Sequence, residues 1–155
     1  MRSRAASRLA VESGFTLLEL LLTISIGAVI FMFTVPAFLG FYRSQIVDDT
    51  AKNLVDSLRQ AQQYSMIQLE GRSYGIKLLP LSNSYVLFQG DSYATRNTAE
   101  DEVDTYPSII SIDATSTEVV FSRLYGTSTF SGTWTISGGQ TRSIDISQGG
   151  IIDLR

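Results

Sequence analysis

Glu19 is the single charged residue in the run from Phe15 to Phe41, whose 27 residues are otherwise mostly apolar. A helix of this length reaches roughly 40 Å and exceeds the hydrocarbon core of a bilayer, which is about 30 Å thick. A charged carboxylate inside such a segment costs roughly 2–3 kcal/mol or more unless it has a partner. Because the run contains no basic residue, Glu19 either meets a cation from outside the run or reaches back to water at the headgroups.

Other residue types that commonly do chemistry are scarce. The chain has no histidine and no cysteine, which removes the commonest general base and metal ligand and excludes disulfides and thiolate chemistry. The acidic segment Glu100–Asp104 could offer oxygen ligands to Ca²⁺, but its spacing fits no calcium-loop template, so a solvated acidic loop is expected there. We therefore expect no catalytic residues, no metal site and no cofactor, in a chain that is not an enzyme.

Length and charge limit the function further. The 155 residues suit one globular domain and one membrane segment, and the formal net charge is −3. The residues up to Gly14 carry three arginines and one glutamate, so the rest of the chain carries −5. This acidic balance argues against nucleic-acid binding, unless three scattered arginines converge in the fold: Arg123, Arg142 and Arg155. The arginines near the start predict that the N-terminal side of the membrane segment is cytoplasmic.

The order Gly14-Phe15-Thr16-Leu17-Leu18-Glu19, after a short basic leader and before an apolar helix, resembles the type IV prepilin signature. The resemblance implies that a membrane aspartic peptidase, the prepilin peptidase, cleaves the Gly14–Phe15 bond on the cytoplasmic side and methylates the new amine of Phe15. It also implies that Glu19, as the fifth residue of the mature chain, meets the amine of a neighbouring subunit during assembly. Pro36 would be residue 22 of that chain, where many pilins carry a helix-kinking proline.

The same resemblance implies a location and a set of partners. The chain would be a single-pass protein of the inner (cytoplasmic) membrane, with its globular domain outside the cytoplasm, and would later enter a pilus or pseudopilus. Its partners would be other pilin or pseudopilin subunits, the prepilin peptidase, the inner-membrane assembly machinery and membrane lipid.

One long helix is expected to present these residues. Beyond Phe41, apolar residues recur at spacings of three and four, which predicts an amphipathic helix with one buried face. That face comprises Val47, Ala51, Leu54, Leu58, Ala61 and Ser65, and is widened by Val55, Gln62 and Leu69. Gly71 suits a helix end, so the helix should run from about Phe15 to Glu70 with a bend at Pro36. Two separate helices joined near Gly40 are the alternative.

Short apolar and aromatic segments separated by turn residues follow, and these are typical of strands. Tyr74–Leu79 and Tyr85–Gln89 should form a hairpin around Pro80–Ser84, whereas Asp91–Pro107 should be an exposed loop. Further strands are expected at Ile109–Ile112, Glu118–Phe121, Thr133–Ile136, Ser143–Ile146 and Ile151–Leu154. Trp134 and Tyr125 should be core or half-buried residues of the sheet.

The predicted fold class is α+β, a long N-terminal helix packed on an antiparallel β-sheet domain or small sandwich. Four segments make up the predicted organisation. They are a cleaved basic leader at 1–14, a hydrophobic transmembrane and assembly helix at 15–41, an amphipathic helix extension at 42–70 and a β-rich globular pilin-like domain at 71–155.

The last part of the chain resembles the group of minor pilins and pseudopilins that includes GspH and FimT. The resembling features are Val119-Val120-Phe121, Gly126, the segment Thr133–Ile136, Arg142 with the strand after it, and Gly149-Gly150. A chain without cysteine also fits this group better than the major pilins, which close a C-terminal loop with a disulfide.

Together the two resemblances imply a structural subunit of a type IV pilus or of a type II secretion pseudopilus. Two alternatives stay open: a membrane-anchored binding module that does not polymerise, and a minor pilin that binds DNA during uptake. Twitching pili, DNA-uptake pili and type II secretion share the N-terminal signature, so the signature does not decide which machine uses the subunit.

Overall fold

The computed structural model describes residues 14–67 and 69–155, with side chains for all of these except residues 35–37. It separates into two compact units, one extending to Leu39 and one comprising Gly40–Arg155. The described part of the first unit is helical from Leu17 onward, and the second unit contains the rest of that helix and eight strands. The fold class is α+β, as expected.

Helix α1 spans Leu17–Met66 and is followed by a 3₁₀ turn at Leu69–Gly71. It runs unbroken through Gly40, so the alternative of two helices joined there is wrong. The helix ends before the predicted Glu70, because Glu70 and Gly71 have left-handed φ angles of 54° and 64°, which a right-handed helix cannot continue through. The bend predicted at Pro36 concerns a residue outside the described side chains and stays a prediction.

The part of α1 inside the second unit buries the face that its periodicity predicts. Its six central residues are all buried, with 0% exposure: Val47, Ala51, Leu54, Leu58, Ala61 and Ser65. Val55 widens this stripe and is 3% exposed. Leu69 does not belong to it and is 41% exposed, because the helical repeat ends at Met66.

The strands form two four-stranded antiparallel sheets. The first has the order β3-β2-β1-β5, with β1 at Tyr74–Leu79, β2 at Ser84–Gln89, β3 at Asn97–Thr105 and β5 at Glu118–Phe121. The second has the order β4-β6-β7-β8, with β4 at Ser111–Ala114, β6 at Gly132–Ser137, β7 at Thr141–Ile146 and β8 at Ile152–Leu154. The predicted strands are confirmed, except that the one expected at Ile109–Ile112 is displaced toward Ala114.

Strands β1 and β2 form the predicted hairpin, with Tyr74 opposite Gln89 at one end. The chain turns through Pro80–Ser82 and then Asn83, whose φ of 48° is left-handed. Gly75 is required within β1, since a Cβ atom there would lie 2.5 Å from the backbone carbonyl oxygen of Val119 on β5.

The loop predicted at Asp91–Pro107 is wrong over most of its length, because this segment contains β3. β3 pairs with β2 between Thr105 and Glu102, and the register then shifts before Asn97 lies opposite Gln89. Eight of its nine residues are exposed. A strand without a buried face lacks the alternation of apolar and polar residues by which strands are recognised.

One hydrophobic core joins the α1 stripe to residues of both sheets. Trp134 is fully buried, as predicted, and its Nε1–H donates to the Ser116 carbonyl at 2.8 Å. Tyr125 is 78% exposed, so its predicted burial is wrong. It belongs to a three-residue turn in which Leu124 has a φ of 71° and the Tyr125 N–H donates to the Arg123 carbonyl at 2.8 Å. This turn projects Tyr125 away from the core.

Candidate assembly site

The apolar helix begins with a side-chain cap that the sequence predictions did not include. Thr16 precedes α1, and its Oγ1 accepts a hydrogen bond from the Glu19 N–H at 3.2 Å. Thr16-Leu17-Leu18-Glu19 has the Ser/Thr-x-x-Glu spacing of a capping box, so the signal was present in the sequence. The helix therefore starts at Leu17 rather than Phe15, and Gly14 and Phe15 lie outside it.

Glu19 lies in the first turn of α1. This end of a helix carries the positive end of the backbone dipole, which favours a carboxylate by about 0.3–1 kcal/mol. Within residues 14–67 and 69–155, no lysine or arginine forms an ion pair with Glu19. The helix thus offsets part of the cost of this carboxylate, while the described chain supplies no counter-charge.

The hydroxyl groups of the apolar run are satisfied inside the helix. Thr23, Ser25 and Thr34 each donate to a backbone carbonyl three or four residues earlier, at distances of 2.7–2.9 Å. Such bonds need no water and suit an apolar environment. In the described run from Phe15 to Phe41, Glu19 is therefore the polar side chain that still needs a partner.

The surface around Glu19 is apolar and open. Phe15, Leu18 and Leu22 are 76%, 77% and 56% exposed, and large exposed apolar residues continue to Phe41. Among the described residues, α1 is the one helix long and apolar enough to cross a membrane, with a mean hydropathy of 2.2 over an unburied 18-residue window. Apolar surface in water costs about 25 cal/mol per Å², so covering this segment with lipid or protein is favourable.

A polar network ties α1 to the β6–β7 turn in the second unit. Asp48 Oδ1 accepts hydrogen bonds from Arg142 Nε at 2.6 Å and from Gln140 Nε2 at 2.9 Å. Gln140 Nε2 also donates to the Ser44 carbonyl at 2.9 Å. The hydrogen bond from Arg142 lowers the pKa of Asp48, although desolvation opposes it, and Asp48 in turn raises the pKa of Arg142.

The three arginines proposed to converge have separate local partners. Arg142 pairs with Asp48 on the side of β7 that faces α1, whereas Arg155 pairs with Asp145 at 3.4 Å. Successive side chains of a strand point to opposite faces of the sheet. Asp145 lies three residues after Arg142 along β7, so these two side chains are on opposite faces. Arg123 lies in the chain just after β5 of the first sheet, and it donates a hydrogen bond to the Gly71 carbonyl at 3.1 Å. These contacts do not form one basic patch.

The acidic segment Glu100–Asp104 lies in β3, where successive side chains alternate between two faces. Asp101 accepts two hydrogen bonds from Arg96 Nε, at 2.8 and 3.0 Å. Glu102 accepts one from Gln60 Nε2 at 3.4 Å. In the part of the chain that the structure describes, no three His, Cys, Asp or Glu side chains are grouped so as to hold a metal ion.

Two solved structures share the fold of this chain. The type IV minor pilin FimU of Pseudomonas aeruginosa (strain PAO1) is 20% identical, with a TM-score of 0.56 over 70% of this chain and 91% of FimU. The minor pseudopilin EpsH of the Vibrio cholerae Type 2 Secretion System is 11% identical, with a TM-score of 0.53 over 70% of this chain and 95% of EpsH. No protein-family model and no curated protein matches the chain. The chain therefore has the fold of these two proteins, in agreement with the expectation from its sequence.

Proposed function

We propose that this chain is a minor pilin or minor pseudopilin, a structural subunit that assembles through its N-terminal helix into a type IV pilus or a type II secretion pseudopilus. The observation that carries this proposal is Glu19, a lone carboxylate in the first turn of an exposed apolar helix. The fold shared with FimU and EpsH supports it, as does the prepilin-like order from Gly14 to Glu19.

Glu19 supplies the chemistry of assembly in this proposal. Cleavage of the Gly14–Phe15 bond would free an amine at Phe15, two residues before the start of α1 and four residues before Glu19. When the amine of one subunit meets the carboxylate of the next, the two form a charge-assisted hydrogen bond in apolar surroundings. Losing one partner of such a buried pair costs about 3–5 kcal/mol. Association therefore removes a cost that both groups carry while they are apart.

Processing precedes assembly. The leader at residues 1–14 carries three arginines, which would keep it on the cytoplasmic side of the inner membrane. Gly14 and Phe15 are exposed and lie outside the helix, so a peptidase can bind them in an extended conformation. The proposed partners are the prepilin peptidase, the inner-membrane assembly machinery and other pilin-like subunits. The proposed segments are 15–41 for the membrane and assembly segment, 42–70 for its extension and 71–155 for the β-rich domain, and α1 occupies Leu17–Met66 of the first two.

Intact mass and N-terminal sequencing test the processing step. The protein is extracted from membranes of cells that contain a prepilin peptidase, and the expected chain begins at N-methylated Phe15. A chain that still begins at Met1 would contradict processing and favour the non-polymerising, membrane-anchored binding module.

Cross-linking tests the assembly step separately. The chain has no cysteine, so single cysteines introduced at Leu22 and Val29 report helix–helix contacts without background. Both positions are more than half exposed in the chain. A thiol-specific benzophenone reagent is attached to each cysteine, and we expect ultraviolet light to cross-link the mature protein to neighbouring subunits, which need no cysteine of their own. A mature protein that stays uncross-linked at both would contradict assembly through this helix.

A further inference from the structure

Strand β3 leaves one side of the first sheet open. It is the outer strand of that sheet, and among the described residues only β2 pairs with it. Of its nine residues, Asp101 alone is half-buried and the others are exposed. An uncovered edge of this length presents backbone donors and acceptors to which another strand can be added.

A groove runs beside this edge, between β3 and α1. It consists of two adjoining cavities of about 220 and 310 Å³, whose walls share Asn53, Tyr85 and Thr105. Tyr85 is 4% exposed, and its hydroxyl group accepts a hydrogen bond from Ser57 at 3.3 Å. The wall that separates the groove from the core is therefore a packed part of the domain.

Both walls of the groove are acidic. Asp49 and Asp56 line it from α1, and Asp104 lines it from β3. Glu102 precedes Asp104 on the same face of β3 and contacts Gln60 on α1 at 3.4 Å. No lysine or arginine lines either cavity. The negative charge of both walls attracts a cationic partner. It repels a second copy of this chain, whose net charge is −3.

We propose that this edge and groove bind an extended, lysine- or arginine-bearing segment of a partner protein. The segment is added as a strand beside β3, where backbone hydrogen bonds hold it. Every second side chain of a strand points to the same face, so alternate basic residues enter the groove and meet Asp49, Asp56 and Asp104. The site lies within Gly40–Arg155 and does not involve Glu19, so it adds a second kind of contact to helix-mediated assembly.

Three synthetic peptides test strand addition on the full chain in detergent micelles. The first is Lys-Val-Lys-Val-Lys-Val-Lys, the second has glutamate in place of lysine, and the third is the lysine peptide with alternate backbone nitrogens methylated. Methylation removes hydrogen-bond donors and keeps the charge. By calorimetry we expect the lysine peptide to bind, the methylated peptide to bind roughly tenfold or more weakly, and the glutamate peptide not to bind.

Charge variants locate the site. Asp49→Asn with Asp56→Asn removes two groove carboxylates, and Asp113→Asn with Asp153→Asn removes two charges from the outer strands of the second sheet. We expect the groove variant to weaken binding of the lysine peptide about two- to fivefold for each charge, and the control variant to leave it unchanged. Thermal melts followed by circular dichroism check that both variants fold.

Three results would overturn the proposal. Equal binding of the methylated and unmethylated lysine peptides would exclude strand addition. An equal loss in the two charge variants would show that only the net charge of the protein attracts the peptide. Self-association that disappears in the groove variant, without any peptide binding, would assign the edge to a second copy of this chain.

Discussion

Arg142 of β7 donates to Asp48 of α1 at 2.6 Å, although the two residues are 94 positions apart in the chain. The contact joins the helix to the second sheet at the end of the domain where the β6–β7 turn lies. The hydrogen bond from Arg142 lowers the pKa of Asp48, so the folded state favours the ionised carboxylate. A group whose pKa is lowered by folding stabilises the protein above its unfolded pKa and loses that effect as the pH falls through the folded pKa.

The first prediction concerns the pH dependence of this contact. Asp48→Asn should lower the melting temperature at neutral pH, and the difference from the wild type should shrink as the pH falls below the ordinary value of 3.8. Thermal melts followed by circular dichroism between pH 7 and about pH 2 measure this difference in melting temperature. Asp49→Asn, at an exposed neighbour without an ion pair among the described residues, is the control. A difference in melting temperature that stays the same at the lowest pH would show that the ionised carboxylate of Asp48 is not its cause.

The second prediction concerns Gln62, whose Nε2 donates to the carbonyls of Gly126 and Gly150 at 2.9 and 2.7 Å. Gln62→Leu should lower the free energy of unfolding by about 1–3 kcal/mol, because two carbonyls lose this donor. Gln63→Leu changes an exposed neighbour and should stay within about 0.5 kcal/mol. Urea unfolding in micelles, followed by the emission of the single tryptophan, measures both. Equal losses of unfolding free energy in Gln62→Leu and Gln63→Leu would show that the two hydrogen bonds from Gln62 do not stabilise the domain.

The third prediction concerns the core stripe of α1. Leu58 is fully buried, and Leu58→Ala should destabilise the domain by about 2–5 kcal/mol through lost contacts and a cavity. Leu81→Ala makes the same chemical change at a fully exposed residue, and should change stability by no more than about 0.5 kcal/mol. The same urea titration compares them. A small effect at Leu58 would mean that the helix does not close the core.

The fourth prediction separates the two roles that Glu19 has at the helix start. Glu19→Gln removes the charge and should reduce incorporation into filaments by roughly a hundredfold or more, with insertion and cleavage intact. Thr16→Ala removes only the cap, which is worth about 1 kcal/mol, and should reduce incorporation about fivefold. The mature subunit in sheared filaments is quantified by immunoblot. Wild-type incorporation of Glu19→Gln would refute the pairing of carboxylate and amine.

The fifth prediction concerns the cut site. Gly14→Leu should block processing, because a large side chain replaces the small residue before the scissile bond. Gly27→Leu places the same side chain in open space on α1 and should be processed normally. Intact mass distinguishes precursor from mature protein in both variants. A mature mass for Gly14→Leu would place the cut elsewhere.

Local patterns explain why much of this fold could be predicted. The stripe from Val47 to Ser65 repeats with a helical period, and the β1–β2 hairpin has apolar strands on either side of a proline-containing turn. The Thr16 cap could have been predicted as well, since Glu19 follows it at the capping-box spacing.

The features that could not be predicted depend on contacts between distant residues. β3 is a strand because β2 offers it an edge, and its acidic residues have no buried face that would reveal this. The pairing of Asp48 with Arg142 depends on how the second sheet lies on α1, which no local spacing encodes. The groove beside β3 depends on the pairing of β3 with β2 and on how the first sheet lies on α1.

The positions of the core residues along the chain determine when the core can form during synthesis. Val47 on α1 and Ile152 on β8 belong to one buried cluster, although the ribosome makes α1 first and β8 last. The helix stripe therefore is not fully covered until the last strand has been made. Such non-local contacts form late and slowly. The core of the domain consequently becomes complete only after its last strand has been made.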